Sequence, residues 1–223
     1  MEAYAQIVDT LALTLGVAWA SGLNLYAALL MLGYMHASGA ATLPPDLVIL
    51  ADPVVMLAAG FMYLVEFFAD KTPGVDTGWD ALHSFIRVPA GAVLAAAAVG
   101  EVALPLQLAA AIVGGGVAAA THATKAGSRV LINTSPEPFS NWAASIAEDI
   151  AVFGGLWMAL HNPWLFLVLL IAFLLLLVWL LPRLWRAIVH VYRFLVSKLR
   201  GQPAPPRPED IRLLTGTLNR PRE

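Results

Sequence analysis

PWLFLVLLIAFLLLLVWLLP, residues 163–182, decides the fold class. These twenty residues carry no charged side chain. At about 1.5 Å per residue a helix of that length crosses a hydrocarbon core of about 30 Å. Trp164, Trp179 and Trp185 flank the run, and indole rings suit the half-wet, half-apolar membrane interfaces. Outward from this stretch the whole chain has the same character. Of its 223 residues 59% are hydrophobic and 13% charged, with a mean hydropathy of +0.74. A soluble domain carries about 25% charged residues to stay dispersed, whereas a lipid-facing surface needs none. The expected fold is therefore an all-α polytopic membrane protein.

Five weaker apolar stretches precede the decisive one, at roughly 7–35, 48–69, 82–104, 106–132 and 142–160. Turn-forming residues punctuate them: SGAATLPPD, KTPGVDTG, GEVALP, SPEPFSN and HNP. The reading gives about six transmembrane helices, with Pro89 expected to kink the third. Residues 1–182 form the transmembrane domain, 183–200 a basic juxtamembrane helix and 201–223 a flexible, Pro-rich tail. The opening MEAYAQIVDT has no Lys or Arg, so it does not read as a cleavable signal peptide.

Lys and Arg set the orientation. Residues after Pro182 include Arg183, Arg186, Arg193, Lys198 and Arg200, which places that end in the cytoplasm. Six crossings then put both termini there. Arg183, Arg186, Arg193 and Arg200 recur at helical spacing, a stripe suited to anionic lipid headgroups or to snorkelling from the last span.

A weak parallel internal repeat relates DKTPGVDTGWDA, residues 70–81, to NTSPEPFSNWAA, residues 133–144, with Asp70 opposite Asn133. Repeated membrane units commonly hold a site between them. In this superposition Glu66 falls opposite Arg129, so those two are expected to pair across the repeat.

The charged residues are few and grouped. Glu66, Asp70 and Lys71 close the second stretch; Asp76, Asp80, His83 and Arg87 open the third. His122, Lys125 and Arg129 lie on the fourth, Glu137 in the following loop, and Glu148 and Asp149 on the fifth. Asp80, His83 and Arg87 are three and four residues apart, as are His122, Lys125 and Arg129, so each trio shares one helix face. A charge within the bilayer costs about 2.5–3.5 kcal/mol and turns to the bundle interior, to water or to a partner. Charges at helix ends also serve as anchors and structural ion pairs. Four successive helices presenting such faces at one end point beyond anchoring, to an ion- or substrate-binding site.

With no cysteine, thiolate metal sites and disulfides are excluded. No HExxH, G-x-S-x-G or P-loop pattern occurs, and cations flanking His122 oppose metal binding. No catalytic residue, metal or cofactor is assigned, and an enzyme is disfavoured. A net charge of −2 gives no reason to expect nucleic acid. The Gly114–Gly116 run permits close helix approach. Asn24 and Tyr26 break the apolar face of the first stretch, and Gly22 permits local unwinding there.

GLNLY at 22–26, EFFADKTPGVDTGWDALHSFIR at 66–87 and THATKAGSRVLINTSPEPFSNWAASIAED at 121–149 resemble the bacterial domain of unknown function 4126 family. The likeness covers nearly all of residues 10–165. It implies a small integral membrane protein, and it transfers no role to any residue. The expectation is a multi-pass protein of the bacterial inner membrane. It acts as a transporter or channel for an ion or a small anionic solute, with membrane lipids as neighbours and a homo-oligomer as a compatible state. The alternative is a non-transporting protein that binds anionic lipid or a protein partner through its cytoplasmic face.

Overall fold

A computed structural model describes residues 2–72, 74–134 and 139–199. Glu137, Arg200 and the 201–223 tail lie outside the described residues. Among those described, all regular structure is helical. Six α-helices follow in order: α1 Glu2–Ala37, α2 Pro53–Ala69, α3 Val75–Ala98, α4 Leu104–Ile132, α5 Phe139–His161 and α6 Pro163–Leu199. A 3₁₀ helix, Pro45–Ala51, precedes α2. Among the described residues five helices are long and apolar enough to cross a membrane, and a sixth span results if the 3₁₀ helix and α2 count as one. The chain is a polytopic helical membrane protein.

The second expected stretch, 48–69, is not one straight span. The 3₁₀ helix and α2 meet at 69°. Asp52 takes an extended conformation between them, its side chain accepts from the Val54 amide at 2.8 Å, and Pro53 begins α2. An Asp cap followed by Pro at the first helical position starts a helix in a new direction. The third helix starts at Val75 rather than near 82, so Asp76 and Asp80 are helical. Nothing breaks the last helix at residue 182; α6 continues through Pro182 to Leu199.

The largest departure is in α1. Asn24 interrupts it with φ −147° and ψ 98°. Its Oδ1 accepts from the Ala27 amide at 3.0 Å, capping a second limb over 25–37. The first limb, 2–23, and the second then point back to the same end of the bundle. Tyr4 stacks near Trp164 with ring centroids 5.5 Å apart. A cavity of about 450 Å³ touches Asp9, Thr10 and Leu13 together with Ala40–Pro44, Ala98 and Ala159–His161. The second limb runs antiparallel to α2: Leu30 faces Gly60, and Gly33 lies against the Leu50 carbonyl and Met56. An unbroken 36-residue helix would be roughly 54 Å long and hold these ends far apart.

So α1 is a re-entrant helical hairpin whose tip, around Gly22–Tyr26, stops inside the bundle. It supplies much of the apolar core, including Ala12, Val17, Ala18, Ala27, Ala28 and Leu32, and it touches every other helix. Gly22 is needed where it stands, because a Cβ there would lie 2.6 Å from the Ala118 carbonyl and 2.8 Å from Thr121 Cβ. Because α1 returns while α2 to α6 each run the length of the bundle, Glu2 and Leu199 stand at opposite ends. The reading of about six spans expects both termini at one end; hydropathy alone does not distinguish a helix that crosses from one that turns back.

Candidate functional site

The α2–α3 and α4–α5 turns lie at one end of the bundle, and the charged faces predicted on those helices converge beneath them. Glu66, Asp70, Asp80, Arg87, Lys125 and Arg129 are all 2% exposed or less. Arg87, from the middle of α3, donates from Nη2 to Glu66 Oε1 at 2.6 Å and from Nη1 to Asp80 Oδ1 at 3.1 Å. Lys125 donates to Asp70 Oδ2 at 2.7 Å and to Glu66 Oε1 at 3.4 Å. Its ammonium also lies 3.4 Å from Glu148 Oε2 and 3.8 Å from Asp80 Oδ1. Arg129 donates to Glu148 Oε2 at 2.8 Å and to the Asn141 carbonyl at 2.9 Å. Glu66 therefore pairs with Arg87 and Lys125, and the expected Glu66–Arg129 pair is absent among the described ion pairs. Asp70 and Glu148 stand beside Arg129 instead.

The remaining predicted residues sort into neighbouring groups. His122 joins the network directly: Arg87 Nη1 donates to its Nδ1 at 3.1 Å, and its Nε2 lies 2.8 Å from Ser84 Oγ and 3.1 Å from the Asp80 carbonyl. An arginine can only donate, so Nδ1 is the accepting nitrogen. Asp149 accepts from Asn24 Nδ2 at 3.1 Å and Tyr63 Oη at 3.2 Å. His83 stacks on Trp79 at 4.3 Å, donates from Nδ1 to its carbonyl, and meets the Tyr26 hydroxyl at 3.2 Å. Both contacts with α1 come from the broken segment.

Asp76 and Asn133 hold the two turns together rather than entering the ion-pair cluster. Asn133 Nδ2 donates to both Asp76 oxygens at 2.8 and 3.0 Å, Asp76 Oδ1 accepts from the Gly74 and Thr77 amides, and Asn141 donates to Asn133. Lys71 lies over the Phe67 ring and donates to Ser145 Oγ at 3.2 Å. Partial burial holds its ammonium below the ordinary lysine range, while Asp149 and Asp70 act in the opposite sense. Arg183 and Arg186 are exposed beyond the cluster on α6, and each donates to a carbonyl one turn back, of Trp179 and Pro182. Arg193 is also exposed on α6.

Several contributors escaped the sequence reading. Tyr63, Ser84, Asn141 and Ser145 are uncharged and do not stand out in composition. Their spacing held a signal, since Asn141, Ser145 and Asp149 repeat every four residues and Ser84 lies one turn from Asp80.

The break in α1 reaches the cluster through its backbone. In a continuous helix the Leu23 carbonyl would accept from the Ala27 amide, but Asn24 Oδ1 takes that amide. The freed carbonyl accepts from Lys125 Nζ at 3.0 Å. The negative end of the first limb's dipole thus meets a fixed cation.

Four carboxylates, Glu66, Asp70, Asp80 and Glu148, pair with three cations, Arg87, Lys125 and Arg129. Glu66 Oε2, Asp70 Oδ1 and Asp80 Oδ2 are buried without a hydrogen-bond partner among the described residues. Among those residues no group of three or more His, Asp or Glu is set to hold a metal ion. The cluster sets four carboxylates against three cations, leaves Arg87 Nε and Arg129 Nε as buried donors also without a partner among the described residues, and reaches the surface at Glu148, which is 14% exposed.

A family model described as a domain of unknown function (DUF4126) matches residues 11–183. No curated protein and no solved structure matches the chain.

Proposed function

Starting from the premise that this chain belongs to the DUF4126 family, we propose that it is a small inner-membrane transporter or channel for an inorganic cation or for protons. Its working site is the ion-pair cluster between α2, α3, α4 and α5. The observation that carries this reading is that four carboxylates, three buried and the partly exposed Glu148, share three buried cations, with three carboxylate oxygens buried without a partner among the described residues. Such a surplus is costly in a low-dielectric interior and is relieved by a positively charged visitor. An anionic solute is the weaker occupant, because Arg87, Lys125 and Arg129 are each already neutralised by carboxylates.

Lys and Arg also orient the site. The first basic residue in the chain is Lys71, and every other one lies on α3 to α6 or beyond. The end bearing Glu2, the 38–52 segment, the α3–α4 turn and the α5–α6 turn has none. By the positive-inside rule the cluster end faces the cytoplasm and the amino-terminal end the opposite side.

Purified protein in proteoliposomes tests the reading through uptake of protons, Na⁺ and Rb⁺ under an imposed gradient. Wild type is expected to carry at least one of them, and Glu66→Gln to lose ten-fold or more while keeping its helical circular dichroism. Wild-type vesicles no leakier than empty ones for all three ions reject it. A second reading has its own support: α6 extends to Leu199 and keeps Arg183, Arg186 and Arg193 exposed, a surface suited to anionic headgroups or an acidic partner. Tight binding to anionic vesicles without ion flux would favour it.

A further inference from the structure

The ammonium of Lys125 is surrounded as a bound metal ion would be. Five oxygens stand around Nζ: Asp70 Oδ2 at 2.7 Å, the Leu23 carbonyl at 3.0 Å, Glu66 Oε1 and Glu148 Oε2 each at 3.4 Å, and Asp80 Oδ1 at 3.8 Å. They come from four helices, α2, α1, α5 and α3. An ammonium has only three N–H donors. Three are used, on Asp70, Leu23 and Glu66, so Glu148 and Asp80 face it without a hydrogen bond. A spherical cation has no such limit and would use every oxygen.

Two further observations point the same way. The second oxygens of Glu66, Asp70 and Asp80 are buried without partners among the described residues, leaving acceptors in reserve. The Leu23 carbonyl is available only because α1 breaks at Asn24, and an unwound backbone carbonyl at a half-helix end is a cation ligand of the kind transporters use. The spacing is too wide for Mg²⁺ or Ca²⁺, which need oxygens at about 2.0–2.6 Å. It suits an ion of ammonium size.

We propose that this oxygen cage is a monovalent-cation site in which the Lys125 ammonium is a tethered occupant, exchanging with an ion of the size of K⁺ or Rb⁺. The inference rests on the ion-handling reading above and adds the ligand class and the residue that competes for the site. A free cation entering beside Glu148 displaces the lysine head, and departure of the cation readmits it. The site's net charge is the same in both states, which avoids leaving the buried Glu66, Asp70 and Asp80 with one cation fewer in a low-dielectric interior.

Thermal unfolding of purified protein in detergent tests this, comparing KCl, RbCl, NaCl and choline chloride at equal ionic strength. Wild type, with its site filled, is expected to shift little. Lys125→Met should unfold early in choline and regain about 5 °C or more in saturating K⁺ or Rb⁺. The charge-balanced double variant Asp70→Asn with Lys125→Met should show a smaller rise. Recovery of folded Lys125→Met only when K⁺ is present from extraction onward supports the site equally. Identical midpoints in all four salts, failure of both variants to fold even in K⁺, or rescue by acid in choline as large as by K⁺ would overturn it. The readout is binding, so flux without K⁺-dependent stability sinks this inference alone. K⁺-dependent stability without flux sinks the transport reading alone.

Discussion

Removing a cation and removing a carboxylate have unequal consequences here, because Arg87, Lys125 and Arg129 share four carboxylates. Arg87→Met leaves Glu66 and Asp80 buried with less compensation, and breaking one side of a buried pair costs about 3–5 kcal/mol. Glu66→Gln removes surplus negative charge and leaves Arg87 on Asp80 and Lys125 on Asp70. Denaturant unfolding in detergent should therefore find Arg87→Met the more destabilised, by a clear margin. Equal losses would mean that the carboxylate surplus carries no energetic weight. At Asn24 the argument is about shape as well as charge. Asn24→Ala loses a helix cap, worth about 1 kcal/mol, and the hydrogen bond to Asp149. Asn24→Asp keeps the cap but sets a second carboxylate against Asp149, so near neutral pH it should melt below Asn24→Ala. The reverse order would show that Asp149 does not hold its charge there.

Helices α3 and α4 could be read from the sequence because the information is local. Asp80, Arg87, Lys125 and Arg129 lie on faces set by the 3.6-residue period, and a buried charge must seek a partner. The sequence could not say which partner, since pairing depends on how far each helix slides along its neighbours. That is why Glu66 meets Arg87 and Lys125 rather than Arg129. The helix α1 shows the other limit. GLNLY contains a glycine that permits close approach and an asparagine that caps, and both are visible in the sequence. Yet the apolar limbs on either side have the composition of a crossing helix, and the return is set by tertiary contacts such as Gly33 against Leu50 and Leu30 against Gly60. The 69° turn before α2 was hidden for the same reason, although Asp52–Pro53 is a local start signal.

For the whole molecule, an α1 that turns back at Asn24 brings a broken helix to the charge cluster and sets Glu2 and Leu199 at opposite ends of the bundle. The cluster, the freed Leu23 carbonyl and the proposed cation site all depend on that arrangement. The natural chain has no cysteine, so single cysteines can report on sidedness without background. The most direct measurement is labelling of cysteines placed at Ala3, Ala41 and Tyr192 by a membrane-impermeant maleimide, in right-side-out and inverted inner-membrane vesicles. Ala3→Cys and Ala41→Cys should react from the same, periplasmic side, and Tyr192→Cys from the cytoplasmic side only. Labelling of positions 3 and 192 from one side, with 41 from the other, would mean that α1 crosses outright and would contradict the account.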